Sequence, residues 1–236
     1  MIWAILVAVI SSDHVHQLWG VMAAVGYGLA LVVALAVRHA RGADIALGLS
    51  FIGGLIAPLG WLAAHSNVLA DTGLLQPEVS VVANSGMLLI HHGTPYLSPA
   101  ILAASTNVNA YNPYLPVMAL FGLPRAFFDL GLLTDPRLWF GAVFLVVFWL
   151  ALREGGARDP GRWAILVAAT PVIAFELAVG GTDVPMVAFL CLGFGYLWQR
   201  KPVLAGLALG IGASMKATAW PALLVAVALL AVRDGK

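Results

Sequence analysis

Residues 65–95 read HSNVLADTGLLQPEVSVVANSGMLLIHHGTP, inside a longer run, 45–124, that holds no lysine or arginine. The only carboxylates in that run are Asp71 and Glu78. The chain around it is 61% hydrophobic and 10% charged, with a mean hydropathy of +0.95. Soluble domains carry about 25% charged residues. The bilayer is therefore the expected solvent, and spanning backbone must be helical because lipid offers its N–H and C=O groups no partners. Cationic residues are retained on the cytoplasmic side of membrane proteins, which assigns the run without positive charge to the opposite side. Two lone acids on one external loop mark it as the place to look for chemistry.

Working outward, apolar segments at 1–11, 16–37, 45–64, 138–152, 163–179, 184–199, 202–216 and 219–232 are candidate spans. Basic clusters separate them at Arg38/Arg41, Arg153/Arg158/Arg162, Arg200/Lys201 and Arg233/Lys236. Placing all four clusters in the cytoplasm closes the parity of eight crossings and leaves 65–137 as an external loop. Trp19, Trp61, Trp139, Trp149, Trp163, Trp198 and Trp220 fall near span ends, as an interfacial aromatic belt requires. Arg137, Arg153 and Lys216 flank short spans and are expected to snorkel. Gly206 and Gly210 form a small-xxx-small pair suited to close helix contact. The expectation is an all-α, polytopic protein, with 1–236 as one transmembrane domain. A net charge of +1 excludes a nucleic-acid footprint, which needs a basic stripe. The single cysteine, Cys191, cannot form an internal disulfide. Met1 to Ile10 lacks the basic start and small-residue close of a signal peptide. The end at Arg233-Asp234-Gly235-Lys236 reads as a cytoplasmic loop, so a longer protein is expected.

Within the loop, Pro77 suits a first helical turn. Val79, Val82, Ala83, Gly86, Met87 and Ile90 recur at helical spacing, which predicts an amphipathic helix over 77–92 lying in the membrane interface. Gly93 and Pro95 stop it. The apolar run 117–123 is too short to span and reads as interfacial or re-entrant.

Glu78 opens that helix, where the dipole favours an ionised carboxylate. Such a group suits a general base acting on a hydroxyl; a purely helix-stabilising role is the alternative, and Asp71 has the same two readings. Adjacent histidines on a helix point about 100° apart, so His91 and His92 suit hydrogen bonding or phosphate contact rather than a shared metal. Asp183 follows a Gly180-Gly181-Thr182 turn and is an N-cap candidate. Glu176 sits near the outer end of its span, where acids are commonly functional. Lys216 interrupts an apolar run and can meet a phosphate or snorkel; Arg125 offers a second external positive charge.

In this order, the residues resemble the integral-membrane glycosyltransferases of the GT-C superfamily, most of all bacterial polyprenyl-phosphate-mannose-dependent alpha-1,2-mannosyltransferases. The resemblance rests on Glu78-Val79 opening the loop helix and Gly93-Thr94-Pro95-Tyr96 closing it. It continues through Tyr111-Asn112-Pro113-Tyr114-Leu115-Pro116, Gly180-Gly181-Thr182-Asp183, Arg200-Lys201-Pro202, Ala205-Gly206-Leu207 and Met215-Lys216 through Pro221, over about residues 70–232. The family acid is usually Asp, whereas Glu78 stands here, with Asp71 as the fallback. The family also places its acidic loop after the first span, whereas about three spans precede it in this chain.

The resemblance implies transfer of a hexose, mannose foremost, from a polyprenyl-phosphate donor to an extracytoplasmic lipid or glycan acceptor. It further implies a multi-pass protein of the cytoplasmic membrane with its active face outside, surrounded by membrane lipids; the residues themselves lead to the expectation of no metal or other cofactor. Glu78 or Asp71 would be catalytic. His91, His92, Tyr96, Asn112, Tyr114, Arg125, Asp183 and Lys216 would bind substrate. The rivals are a transporter or lipid flippase, and a non-catalytic membrane subunit. Transporters place ionisable groups at mid-membrane and are commonly built from repeats, neither of which is visible here.

Overall fold

Every apolar segment forms a helix in the computed structural model, which describes residues 1–68, 73–128 and 130–233. Helices α1 (Ile2–Ile10) and α2 (His14–Ala36) form a tight hairpin. Its closeness depends on Gly20, where a Cβ would sit 2.6–2.9 Å from the backbone of Ala4 and Ala8. Helix α3 (Ala40–Phe51) continues through a π-helical turn, Ile52–Ile56, into α4 (Ala57–His65). There Gly53 meets Gly26 of α2 backbone to backbone, and the buried Trp19 indole donates to the Gly54 carbonyl at 3.0 Å. A π-bulge loosens the regular helical ladder, and here the side chain of a neighbouring helix bonds to it.

The loop helix α5 (Pro77–His92) starts at its proline and ends at Gly93, whose φ of 70° is the left-handed conformation glycine adopts without strain. A short α6 (Pro99–Ala104) follows, then 3₁₀ turns at Val108–Ala110 and Pro116–Gly122, the second running into α7 (Leu123–Phe127). This last segment crosses α5 where Gly86 and Gly122 touch; a Cβ on either would run into backbone. Next come α8 (Pro136–Glu154), α9 (Pro160–Ala168), α10 (Pro171–Val179), α11 (Asp183–Trp198), α12 (Pro202–Ala213) and α13 (Trp220–Arg233). A helix lies at each expected span, although its length differs from case to case. Among the described residues, α2, the continuous 40–65 stretch and α8 are each long and apolar enough to cross a membrane. The α9–α10 pair qualifies only as a bent span, and α11, α12 and α13 are shorter.

Several expectations change. The 163–179 segment is not straight: it bends by 72° between α9 and α10. Pro171 has no N–H for the helical ladder, and the Thr170 hydroxyl instead bonds back to the Val167 carbonyl at 2.6 Å. Arg137 does not snorkel. It is fully buried and ion-paired with the equally buried Asp135 at 2.8 Å, and it also donates to the Leu74 carbonyl and the Ser66 hydroxyl. Trp19 belongs to the core with Trp3 and Phe175 rather than to a surface belt. Trp61, Trp139, Trp163, Trp198 and Trp220 are exposed. Gly206 and Gly210 face open space; the tight contacts of α11 with α12 are made by Gly193 against Leu209 and by Gly212 against Met186.

The two ends of the bundle differ in chemistry. At one, Arg162 pairs with Asp44 at 3.0 Å and Lys201 with Glu154 at 2.7 Å, while Arg233 donates to the Leu197 carbonyl. At the other lie the start of α5, the α10–α11 turn and the segment between α12 and α13.

Candidate functional site

The turn Gly180-Gly181-Thr182 does most of the assembly at this second end. Gly180, with φ 118°, ends α10 in a conformation that side chains disfavour, and its α-carbon faces Val79 of α5 so closely that no Cβ fits. Gly181 leaves room for the Glu176 carboxylate, which lies where its Cβ would be. The Gln76 N–H donates to the Val179 carbonyl at 3.1 Å, fastening the start of α5 to the end of α10. Glu78 follows two residues later, half-buried, in the first turn of α5.

A second fastening brings in Lys216. The Leu115 and Val117 N–H groups donate to the Met215 and Ser214 carbonyls at 3.0 and 3.1 Å. Tyr114 is thereby held beside Lys216, whose ammonium sits 5.5 Å from the tyrosine ring centre. The same ammonium pairs with Asp183 at 2.6 Å and lies 3.4 Å from the Thr182 hydroxyl. Thr182 in turn donates to the Tyr114 phenol oxygen at 3.4 Å. Burial pushes the Tyr114 phenol up to about 12; the Thr182 hydrogen bond opposes this, and the negative charges of Glu78 and Asp183 add to it. Glu176 feels the charges of Asp183, Lys216 and Glu78. Glu78, Glu176, Asp183 and Lys216 therefore lie at one end of the bundle, with the buried Tyr114 joined to Thr182 and Lys216 among them.

His16 of α2 borders this group. Its imidazole is bonded to the Gln76 side chain and to the Ser11 hydroxyl, each at 3.0 Å, and it feels both Asp13 and Glu78.

The structure gathers Glu78, Tyr114, Asp183 and Lys216 among the expected site residues. Asp183 does not cap α11: Thr182 occupies the N-cap position, and the Asp183 carboxylate turns to Lys216. The polar atoms of Tyr96 and Asn112 are engaged in building the loop. The Tyr96 phenol donates to the Tyr114 carbonyl at 2.9 Å. Asn112 bonds the Ser85 hydroxyl, the Pro95 carbonyl and the Tyr114 N–H. His91 and His92 lie on the last turn of α5, exposed, on the wall of a separate cavity of about 570 Å³. Arg125 is half-buried at the end of α7, the segment packed on α5. Asp71 lies outside the described residues.

Thr182 and Gln76 were missed from sequence. Thr182 stands in plain view inside the quoted turn, but nothing local says that its hydroxyl points to a tyrosine 68 positions earlier. Gln76 precedes the helix-opening proline, a position that ordinarily signals only a helix start.

The chain matches the family model described as glycosyltransferase family 87 over residues 112–236, just over half of its length. No curated protein matches it, and no solved structure does.

Proposed function

The chain belongs to glycosyltransferase family 87, a GT-C-type family of membrane glycosyltransferases, and from that premise we propose a polyprenyl-phosphate-sugar-dependent hexosyltransferase. The favoured sugar is mannose, moved on the extracytoplasmic face of the cytoplasmic membrane to a lipid or glycan acceptor. In this reading the Glu78 carboxylate takes the proton from an acceptor hydroxyl as that oxygen attacks the sugar's anomeric carbon. The bond from that carbon to the phosphate oxygen breaks, and the polyprenyl phosphate departs with the electron pair. Lys216 opposes the charge that develops on the phosphate, where a fixed cation acts most strongly. An ammonium has three N–H donors, so Asp183 and Thr182 leave one for a ligand. Asp183 then holds Lys216 in place, and the Tyr114 ring supports it from one side.

The observation that carries this reading is that the start of α5, which bears Glu78, is fastened to the end of α10, beside the turn whose Asp183 pairs with Lys216 over Tyr114. That end is opposite the basic clusters, which is why it is assigned to the outside. The test is incubation of membranes containing the protein with radiolabelled polyprenyl-phosphate mannose, glucose and galactose, each beside the matching nucleotide sugar. Label should pass from a polyprenyl phosphate sugar, mannose first, into a glycosylated product. Transfer from nucleotide sugars alone would refute the donor assignment.

A further inference from the structure

The cavity of about 570 Å³ beside α5 is not part of the Glu78–Lys216 cluster, and its wall has a different chemistry. Ser80, Asn84, His91 and His92 line it from the helix, and Asn107 and Asn109 face them from the loop. No lysine, arginine or carboxylate is among the lining residues. Among the described residues, the side chains of Asn84, Asn109, His91 and His92 make no hydrogen bond, so their donors and acceptors remain available to a ligand. The wall behind them is firm: Ser80 donates to the Val68 carbonyl at 2.7 Å, and Asn112 joins Ser85 to Pro95.

Amides and hydroxyls offer donors and acceptors together, which matches sugar hydroxyls, and Leu75, Val81, Met87, Leu88 and Leu97 in the same wall suit the apolar C–H faces of sugar rings. The cleft follows α5 from Pro77 to His92, about 20 Å at 1.5 Å per residue. Its volume falls within the roughly 300–1,000 Å³ of sites that enclose a sizeable small molecule. The wall thus fits an elongated, uncharged ligand that presents both hydroxyls and apolar C–H faces. Glu78 stands at the border of the lining face, about 20° around the helix from Ser85, and its neighbour Pro77 lines the cleft.

We infer that this cleft is a subsite for a neutral oligosaccharide, the terminal sugars of the acceptor, delivering one hydroxyl toward Glu78. The inference rests on the transferase reading for the ligand's role, but its binding claim can be tested separately. The same chemistry is presented by a free glycan and by a glycolipid head group.

The test is saturation-transfer NMR on the full chain in nanodiscs, with α-mannotriose, maltotriose and cellotriose as probes, and the octyl glycoside of each. At least one trisaccharide should receive saturation. The Asn84→Leu/Asn109→Leu variant should bind it about tenfold or more weakly, as the loss of two neutral hydrogen bonds implies. Tighter binding of the octyl glycoside assigns the sugar to a glycolipid; equal binding assigns it to a free glycan. Absence of saturation for every probe in the wild-type protein overturns the subsite, and so does unchanged affinity in the double variant with its helical circular dichroism intact. Binding without any sugar transfer from polyprenyl phosphates leaves the subsite standing and removes the donor reading instead.

Discussion

Tyr114 shows how much one side chain can organise. Its N–H and carbonyl are held by Asn112 and Tyr96, its ring lies under Lys216, and its phenol receives Thr182. Its raised pKa, about 12, follows chiefly from burial. Because the folded value exceeds the ordinary value of about 10, the contribution to stability is complete below pH 10 and is lost as pH rises toward 12. Alkaline titration followed at the tyrosinate absorbance should show a phenol ionising near pH 12 that vanishes in Tyr114→Phe. A normal titration of all five tyrosines would contradict the burial described here. Reading from sequence singles out Glu78 and Lys216 because each stands alone in apolar surroundings. It failed for Arg137, because a cation at a span end looks the same whether it snorkels or lies buried beside Asp135.

Among the elements, α5 bears Glu78 and one wall of the cavity, and its position depends on the glycine crossing with the 116–127 segment. A Cβ at Gly86 would enter the Gly122 backbone, which no rotamer change can relieve. Gly86→Ala should therefore destabilise the protein by about 1–3 kcal/mol, the usual cost of overpacking. The measurement is the thermal unfolding midpoint in detergent, with Gly206→Ala as control, since Gly206 faces open space and its substitution should leave the midpoint unchanged or raise it. An equal drop in both variants would contradict a close backbone crossing at Gly86. The ends of α5 were legible because their signals are local: a proline in the first turn and a glycine with left-handed backbone after the last. The 72° break before Pro171 was harder to read. Proline is tolerated at a helix start and within a kinked span alike, so only the neighbouring helices decide between a kink and a break.

At the scale of the whole molecule, the chain separates two chemistries along one axis. Arginine and lysine gather with Asp44 and Glu154 at one end; Glu78, Glu176, Asp183 and Lys216 gather at the other. Between them, Val25, Val146, Leu207, Val225 and Val227 are exposed, a surface that suits lipid and not water. Charge bias made this polarity readable before any coordinates, because the positive-inside rule acts on composition alone. The contacts that join Gly180 to Val79, or Met215 to Leu115, link residues far apart in the chain and leave no such trace. In a Cys191→Ser background, Asn109→Cys should react with an impermeant maleimide in intact cells, and Arg158→Cys only after permeabilisation. The reverse pattern would invert the proposed orientation.

The most direct test of the central claim compares wild type with Glu78→Gln for transfer of radiolabel from polyprenyl-phosphate mannose into product, in membranes matched for protein content. Removing a general base should lower the rate by about 10²–10⁴-fold while insertion and helical content stay the same. Full activity in Glu78→Gln would contradict the account.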